Sequence, residues 1–407
     1  MKIKFISLMK ITITFTVLCG IYFQIANYNM LAKLAILLCG GLTVLLYYCN
    51  RGFDNKMLNI WMFMTIFMLF TGLFQAQSWP EHLLSLINMD LSTVVCIAVA
   101  FVLADAAFDD FRNKLFLGIV TTALVCGLVA LFTFDLSSSM LTDRYMAISA
   151  NHNSYILWGM LCNIFAFAGY SAIFSKKGRL LKIAAVLLYV VLGLLFQKRS
   201  VLVNAFIMVI LFFIHLLFSG RRKSISVAKL SKIIIAIFLV VVIIVVAVNT
   251  SETISALLDS TLARLDKMDV SDYNRTQEGD AFVEASTPLE LLLGHGIGNY
   301  FIDHEGVHGM LHIGYYNALY KGGIIYLLFL CYIMFKTFQA FGHRKELNET
   351  ASACLYITIS MFVSMTFEFS WSESILPLCY MPFTGYLCML KYPSVRNART
   401  EVEAFKS

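Results

Sequence analysis

Charge is what this sequence has least of. Only 14% of its 407 residues are Asp, Glu, Lys or Arg, while 59% are hydrophobic and the mean hydropathy is +0.77. A soluble globular chain carries about 25% charged and roughly 45–50% apolar residues, so an ordinary soluble fold is excluded. No basic soluble domain is present, which removes nucleic acid from the partners. The ten cysteines include no C-x-x-C pair, and most lie inside apolar runs, as Cys19, Cys39, Cys96, Cys126, Cys331 and Cys388 do. They read as helix-packing residues rather than a disulfide framework. No internal repeat is visible, so an inverted-repeat transporter gains no support. A glycine-rich phosphate loop is also missing.

What the chain does have is long apolar runs. "IIIAIFLVVVIIVVAV" (233–248) belongs in a bilayer, where about 20 apolar residues span the hydrocarbon core. The N-terminal "MKIKFISLMKITITFTVLCGIYF" has a basic start and an apolar stretch but no A-x-A cleavage site, and it reads as an uncleaved first helix. The expected fold is all-α and polytopic. Twelve spans fit, at 11–29, 31–49, 58–76, 88–107, 115–134, 153–174, 181–197, 200–218, 232–249, 322–341, 351–368 and 375–391. One set of alternate connecting segments holds 22 Lys and Arg; the other holds seven, Arg144, Lys198, Arg199, Arg264, Lys267, Arg275 and Lys321. Cations accumulate on the cytoplasmic side, so both termini are expected there. Lys33 and Lys336 fall within spans, near enough to the ends to snorkel.

The chain thus divides into nine spans over 1–249, a large outer loop over 250–321, and three spans with a cytoplasmic tail over 322–407. A shorter outer loop covers 135–153. The large loop opens with "SETISALLDSTLARLDKMD", whose apolar residues fall close to helical spacing and predict an amphipathic helix on the outer face. A helix-like "EGDAFVEAS", the glycine-broken "LLLGHGIGNYF" and the histidine-rich "HEGVHGMLHIGYYNALYKGG" (304–323) follow.

Outer cations that break the charge rule are the first functional candidates. "LLFQKRSVLVNAF" places Lys198 and Arg199 between two apolar spans. They form either a snorkelling turn or an anion site, for which the planar guanidinium fork is suited. Arg275 reads as an ion-pair partner of Glu278 or Asp272, or as a second anion contact. Arg144 either pairs with Asp143 or binds substrate. Asn151 or Asn153 would cap the sixth span.

His304 to His308 spells H-E-x-x-H, the pattern of zinc proteases, which needs a regular helix to put both histidines on one face. Gly306 and Gly309 weaken a helix there. The metzincin extension fails at Leu311 and Gly314, and no acidic residue lies between Lys321 and Gln339. A zinc site is therefore not expected, and neither is any cofactor. His312 stands just before the tenth span on a stretch that is helical down to the glycines, with His308 on the same face one turn earlier. An imidazole there either bonds backbone or serves as a general base.

Four of these stretches, in order, resemble motifs of the bacterial O-antigen polymerase and O-antigen ligase superfamily. "SANHNSYILWG" looks like the start of a span after an outer loop, with Asn153 in it, and "LLFQKRSVLVNAF" like the S-R-x-x-x-L turn, with Arg199 on the arginine. "YNRTQEGDAFVEASTPLELLLGHGIGNYF" is similar to the stretch in which an arginine, here Arg275, begins a helix ending in h-P-x-x-G-x-G-x-x-x-F. The family's H-N-x-Y-L-x-x-L-x-x-G-x-x-G is echoed by His312, Tyr315, Leu319 and Gly322. Ile313 departs from the asparagine of that motif, Lys198 from the small residue before the arginine, Pro288 from the usual spacing, and the second glycine comes early at Gly323.

The resemblance implies metal-independent glycosyl transfer at the periplasmic face of the inner membrane, from a glycan on undecaprenyl pyrophosphate. Arg199 and Arg275 would hold the pyrophosphate and His312 would act as base. Lys198, Arg144, Asn153, His308 and Tyr315 would contact substrate. A polymerase is favoured, with a chain-length regulator protein as a possible partner beside the membrane lipids. A ligase to the lipid A core and a non-enzymatic carrier of lipid-linked glycan are the alternatives.

Overall fold

The computed structural model describes residues 2–25, 30–76, 79–134, 168, 178–196, 206–208, 210–211, 259, 278–299, 301–303, 306–308, 311, 313–344, 346–367 and 376–390. Apolar runs too long for a strand become helices, because only a helix satisfies its own backbone groups without water. In chain order these are α1 (Lys2–Ile25), α2 (Met30–Arg51), α3 (Lys56–Gln75), α4 (Trp79–Ser85), α5 (Leu91–Leu103), α6 (Asp109–Phe132), α7 (Arg179–Leu195), α8 (Pro288–Leu293), α9 (Gly314–Gly342), α10 (Glu349–Phe367) and α11 (Leu376–Met389). Five segments, Phe5–Tyr22, Met30–Arg51, Lys56–Gln75, Ala106–Phe132 and Gly314–Gly342, are long and apolar enough to cross a membrane. Their outward faces carry large apolar side chains such as Leu31, Leu38, Phe63 and Phe70, a surface suited to lipid. The chain is an all-α membrane protein.

Helix α5 is the centre of the bundle. Its sequence, LSTVVCIAVAFVL, is apolar on every side, and Val99 to Leu103 are 0% exposed. A helix apolar all round is a core helix, and α5 packs against α2, α3 and α11. Helices α3 and α5 run antiparallel. At one end Asn55 caps α3 by accepting from Leu58 N at 3.1 Å, and its amide donates to Phe101 O at 2.8 Å. In the middle Trp61 Nε1 donates to Val94 O at 3.1 Å, while its ring meets Phe101, Tyr326 and Phe329. At the Asn55 end the polar groups serve the fold. Tyr47 OH donates to Asp105 Oδ2 at 2.7 Å, and the buried Arg112 guanidinium bonds Leu103 O and Asp109 and stacks over Tyr386.

Helices coincide with nine of the twelve expected spans; most of 153–174, 200–218 and 232–249 lies outside the described residues, as does nearly all of the amphipathic stretch at 251–269. Two boundaries and one expected helical face differ in an informative way. The fourth segment starts at Trp79, nine residues before the expected 88, and runs through a π turn at Leu86–Asp90 into α5. Helix α9 starts at Gly314 instead of 322 and breaks at Gly323, where φ is 59°. The expected helical face joining His308 to His312 is absent. Residues Gly306–His308 form a strand paired antiparallel with Phe301–Asp303, with His308 opposite Phe301. Gly306, which disfavours a helix, pairs with Asp303 in this hairpin, so His308 does not sit on the helix that the H-E-x-x-H chemistry needs.

Replacing Asn55 by Ala removes a cap and a buried donor together. The expected loss is about 2 kcal/mol, read as a fall of several degrees in the thermal midpoint of the detergent-solubilised protein. Asn55→Asp keeps the cap but sets a buried carboxylate against Phe101 O, and is expected to lose at least as much.

Candidate functional site

At the opposite end of α3 the glycine-broken stretch is drawn onto the bundle. Residues 278–285 are helical, and Thr287 then starts α8 with a capping box: its hydroxyl accepts from Glu290 N while Glu290 Oε2 accepts from Thr287 N at 2.7 Å. Pro288 at the first helical position suits that start. Helix α8 ends at Leu293 with Gly294 as its cap, and Gly294, Gly296 and Gly298 all have positive φ, at 76°, 78° and 87°. The spacing has a steric cause at all three, and a Cβ on Gly294 would stand 2.5 Å from the backbone nitrogen of Gly323. A Cβ on Gly296 would collide with the backbone nitrogen of Gly72 in α3, and one on Gly298 would stand 2.8 Å from the ring of His82. Only glycine lets loop and helix backbones approach so closely.

The approach is held by hydrogen bonds to three elements. Ile297 N donates to Met68 O at 3.2 Å, and Gln75 Nε2 donates to Gly294 O at 3.0 Å, both from or to α3. His295 N donates to Tyr320 O on α9 at 2.6 Å. The third contact is charged. Asp90 Oδ2, in the π turn, accepts from Gly298 N and from Lys321 Nζ, each at 2.8 Å. The side chains are 15% and 6% exposed, so this ion pair is largely desolvated. Beside it His82 Nδ1 lies 3.0 Å from Asn299 Oδ1, and the Asn299 amide donates to Gly72 O and His295 O. A small aromatic cluster of Phe282, His295 and Tyr320 closes the other side.

The expected site residues fall unevenly on this frame. His312, Arg199, Arg275, Lys198, Arg144 and Asn153 lie outside the described residues. His308 is placed by its backbone alone, in the second strand. Tyr315 sits in the first turn of α9, and its hydroxyl donates to Phe362 O on α10 at 3.1 Å. The residues flanking position 312 are tied down, since Leu311 N donates to the buried Asn317 side chain at 3.0 Å. Two of the four motif-bearing stretches are brought together: the glycine loop rests on the Tyr320–Gly323 turn of α9. Asp90, His82 and Asn299 were not singled out from sequence, and Lys321 entered only as one of the seven outer cations. The available signal was Lys321, an outer cation directly before an apolar run, and Asp90 at the head of another. Among the described residues no three His, Cys, Asp or Glu side chains group as metal ligands.

No protein-family model, no curated protein and no solved structure matches this chain.

Asp90→Asn or Lys321→Met leaves a buried charge without its partner. Each is expected to cost about 3–5 kcal/mol, seen as a lower thermal midpoint and faster proteolysis of the loop. The double variant is expected to recover much of that loss; additive losses would show that the pair is not coupled. Burial pushes the His295 pKa down; Glu290 opposes this and Lys321 adds to it. An unfolded histidine binds its proton at about pH 6.5, so the neutral folded ring contributes stability above that pH and loses it as pH falls through the folded value. The midpoint should therefore drop as pH falls below about 6.5, with a shallower slope in His295→Phe.

Proposed function

We propose that this protein is a metal-independent glycosyltransferase of twelve spans in a bacterial inner membrane. It works at the periplasmic face on glycans carried by undecaprenyl pyrophosphate, and polymerisation of a surface polysaccharide is favoured over its ligation to the lipid A core. Both termini then lie in the cytoplasm, and the glycine-loop end of α3 faces outward.

The observation that carries the reading is the meeting of two separate motif-like stretches. The G-x-G loop and the helix that follows position 312 are joined at one end of the bundle by the His295–Tyr320 hydrogen bond and the close contact of Gly294 with Gly322 and Gly323. The charge pattern assigns that end to the outer side, where activated donors are lipid-linked because nucleotide sugars stay in the cytoplasm.

In this mechanism Arg199 and Arg275 bind the pyrophosphate and stabilise the negative charge that grows on it as the glycosidic bond breaks. His312 takes the proton of the attacking sugar hydroxyl. Lys198, Arg144, Asn153, His308 and Tyr315 contribute further substrate contacts. Lys321 is committed to Asp90 and does not compete for the anion.

Deleting the gene and resolving the surface lipopolysaccharide on a gel tests the reading. A single repeat unit on the core is expected for a polymerase, bare core with accumulated lipid-linked polymer marks a ligase, and an unchanged ladder overturns both. Arg199→Ala, Arg275→Ala and His312→Ala should each lower polymer formation by at least about 100-fold at normal expression. Full chain length in all three would sink the mechanism.

A further inference from the structure

By sequence, residues 250–321 lie outside the bilayer, yet the glycine-broken part of that loop docks well inside the end of a span. Helix α3 covers Lys56–Gln75, which at about 1.5 Å per residue just crosses a hydrocarbon core of about 30 Å. Gln75, at its end, bonds Gly294 O, and Ile297 N reaches Met68 O about two turns further in. Gly296 lies against the backbone of Gly72 on the way. Ile297 is 2% exposed and sits about 10 Å inside that end of the span. Backbone at such a depth must be satisfied by protein, because no water is there to do it. This stretch meets the condition. Gly294 N donates to Glu290 O, His295 N to Tyr320 O, Ile297 N to Met68 O and Gly298 N to Asp90 Oδ2. Gly294 O accepts from Gln75 and His295 O from Asn299. A loop lying in water leaves many such groups to solvent.

The apolar surface agrees with the backbone. Helix α8, which leads into the stretch, exposes Leu289 and Leu292, 62% and 47%, one turn apart on one face. On α3, Phe70 and Phe74 are exposed between Met68 and the end of the span. We propose that residues 288–299 form a re-entrant segment, dipping into the leaflet at the Gln75 end of α3 with Leu289 and Leu292 against lipid acyl chains. By the charge pattern that leaflet is the outer one. The polar start of α8, where Thr287 and Glu290 close the capping box, stays at the headgroup level. The occupant of the leucine face is the bilayer itself, continuing the lipid-facing surface of α3. On the glycosyl-transfer reading above, a sugar carried on a lipid tail meets this loop without leaving the membrane. The depth of the segment does not depend on that reading.

The test uses the full, unsubstituted chain in phosphatidylcholine nanodiscs, which leave both faces open to water. Two carbene sources label it in separate runs: a phosphatidylcholine with a diazirine in its acyl chain, and a water-soluble diazirine. Mass spectrometry then locates the label. Leu289 and Leu292 are expected to take acyl-chain label within about 3-fold of Phe70 and Phe74, which face lipid on α3. From the aqueous reagent they are expected to take at least about 10-fold less than Glu346, an exposed residue between α9 and α10. Aqueous labelling of both leucines at the Glu346 level, with no acyl-chain label, overturns the re-entrant segment and leaves glycosyl transfer standing. An unchanged lipopolysaccharide ladder on gene deletion overturns glycosyl transfer and leaves the depth of the segment standing.

Discussion

The carboxylate of Asp90 holds three parts of the chain at one point. One of its oxygens accepts from the backbone of Gly298 in the large loop and from the ammonium of Lys321, about two turns into α9, while Asp90 itself closes the π turn that leads into the core helix. A carboxylate in such a place is costly to desolvate, and only a close cation with further hydrogen bonds offsets that cost. Lys321 meets the first condition and Gly298 N the second. The loop is therefore joined to the bundle by a charged contact that tolerates little change in register, and the rest of the site is built around it.

Around that contact, backbone approaches that only glycine permits bring the loop to van der Waals range of α3 and α9. The 294–296–298 alternation puts a positive φ at every second residue, so the intervening His295 and Ile297 send their amides to Tyr320 and Met68. The π turn at Leu86–Asp90 has a matching role. One extra residue in a turn shifts the side chains that follow, and such bulges recur where a helix must present a functional group. Here the group presented is Asp90. The Asn55 end of α3 is polar too, yet its Tyr47, Asp105, Asn55 and Arg112 contacts close on carbonyls and caps within the bundle. The two ends differ in kind, because at the Gly72 end the contacts tie a separate loop to α3, α9 and the π turn.

Much of the fold was legible in the sequence, because a run of apolar residues dictates a helix through local forces alone. The expected spans at 31–49, 58–76, 115–134, 181–197 and 351–368 match α2, α3, α6, α7 and α10 to within a few residues at most ends. The mismatches arose where polar residues continue a helix beyond the apolar run. Trp79–Asp90 and Gly314–Lys321 are helical because their side chains are satisfied by tertiary partners: His82 by Asn299, Asn317 by Leu311 and Lys321 by Asp90. The glycine loop could be recognised as a break, and the helical reading of 278–286 agrees with helix at 278–285. Its docking partners could not be recognised. His308 was placed on a helical face because an i, i+4 spacing fits one; the hairpin with Phe301–Asp303 won instead, since two glycines disfavour the helix and the strand partner lies just upstream.

By itself the sequence determined that this chain enters a membrane, that it is helical, and which long runs form its helices. Each of these follows from composition and short-range periodicity, with no reference to distant residues. Tertiary structure alone decided which polar groups meet. Asp90 and Lys321 are separated by 231 positions, His82 and Asn299 by 217, and Gln75 and Gly294 by 219. No local propensity encodes those encounters. They exist because burying a polar group costs free energy until it finds its complement, and the complement can be found only once the helices have packed.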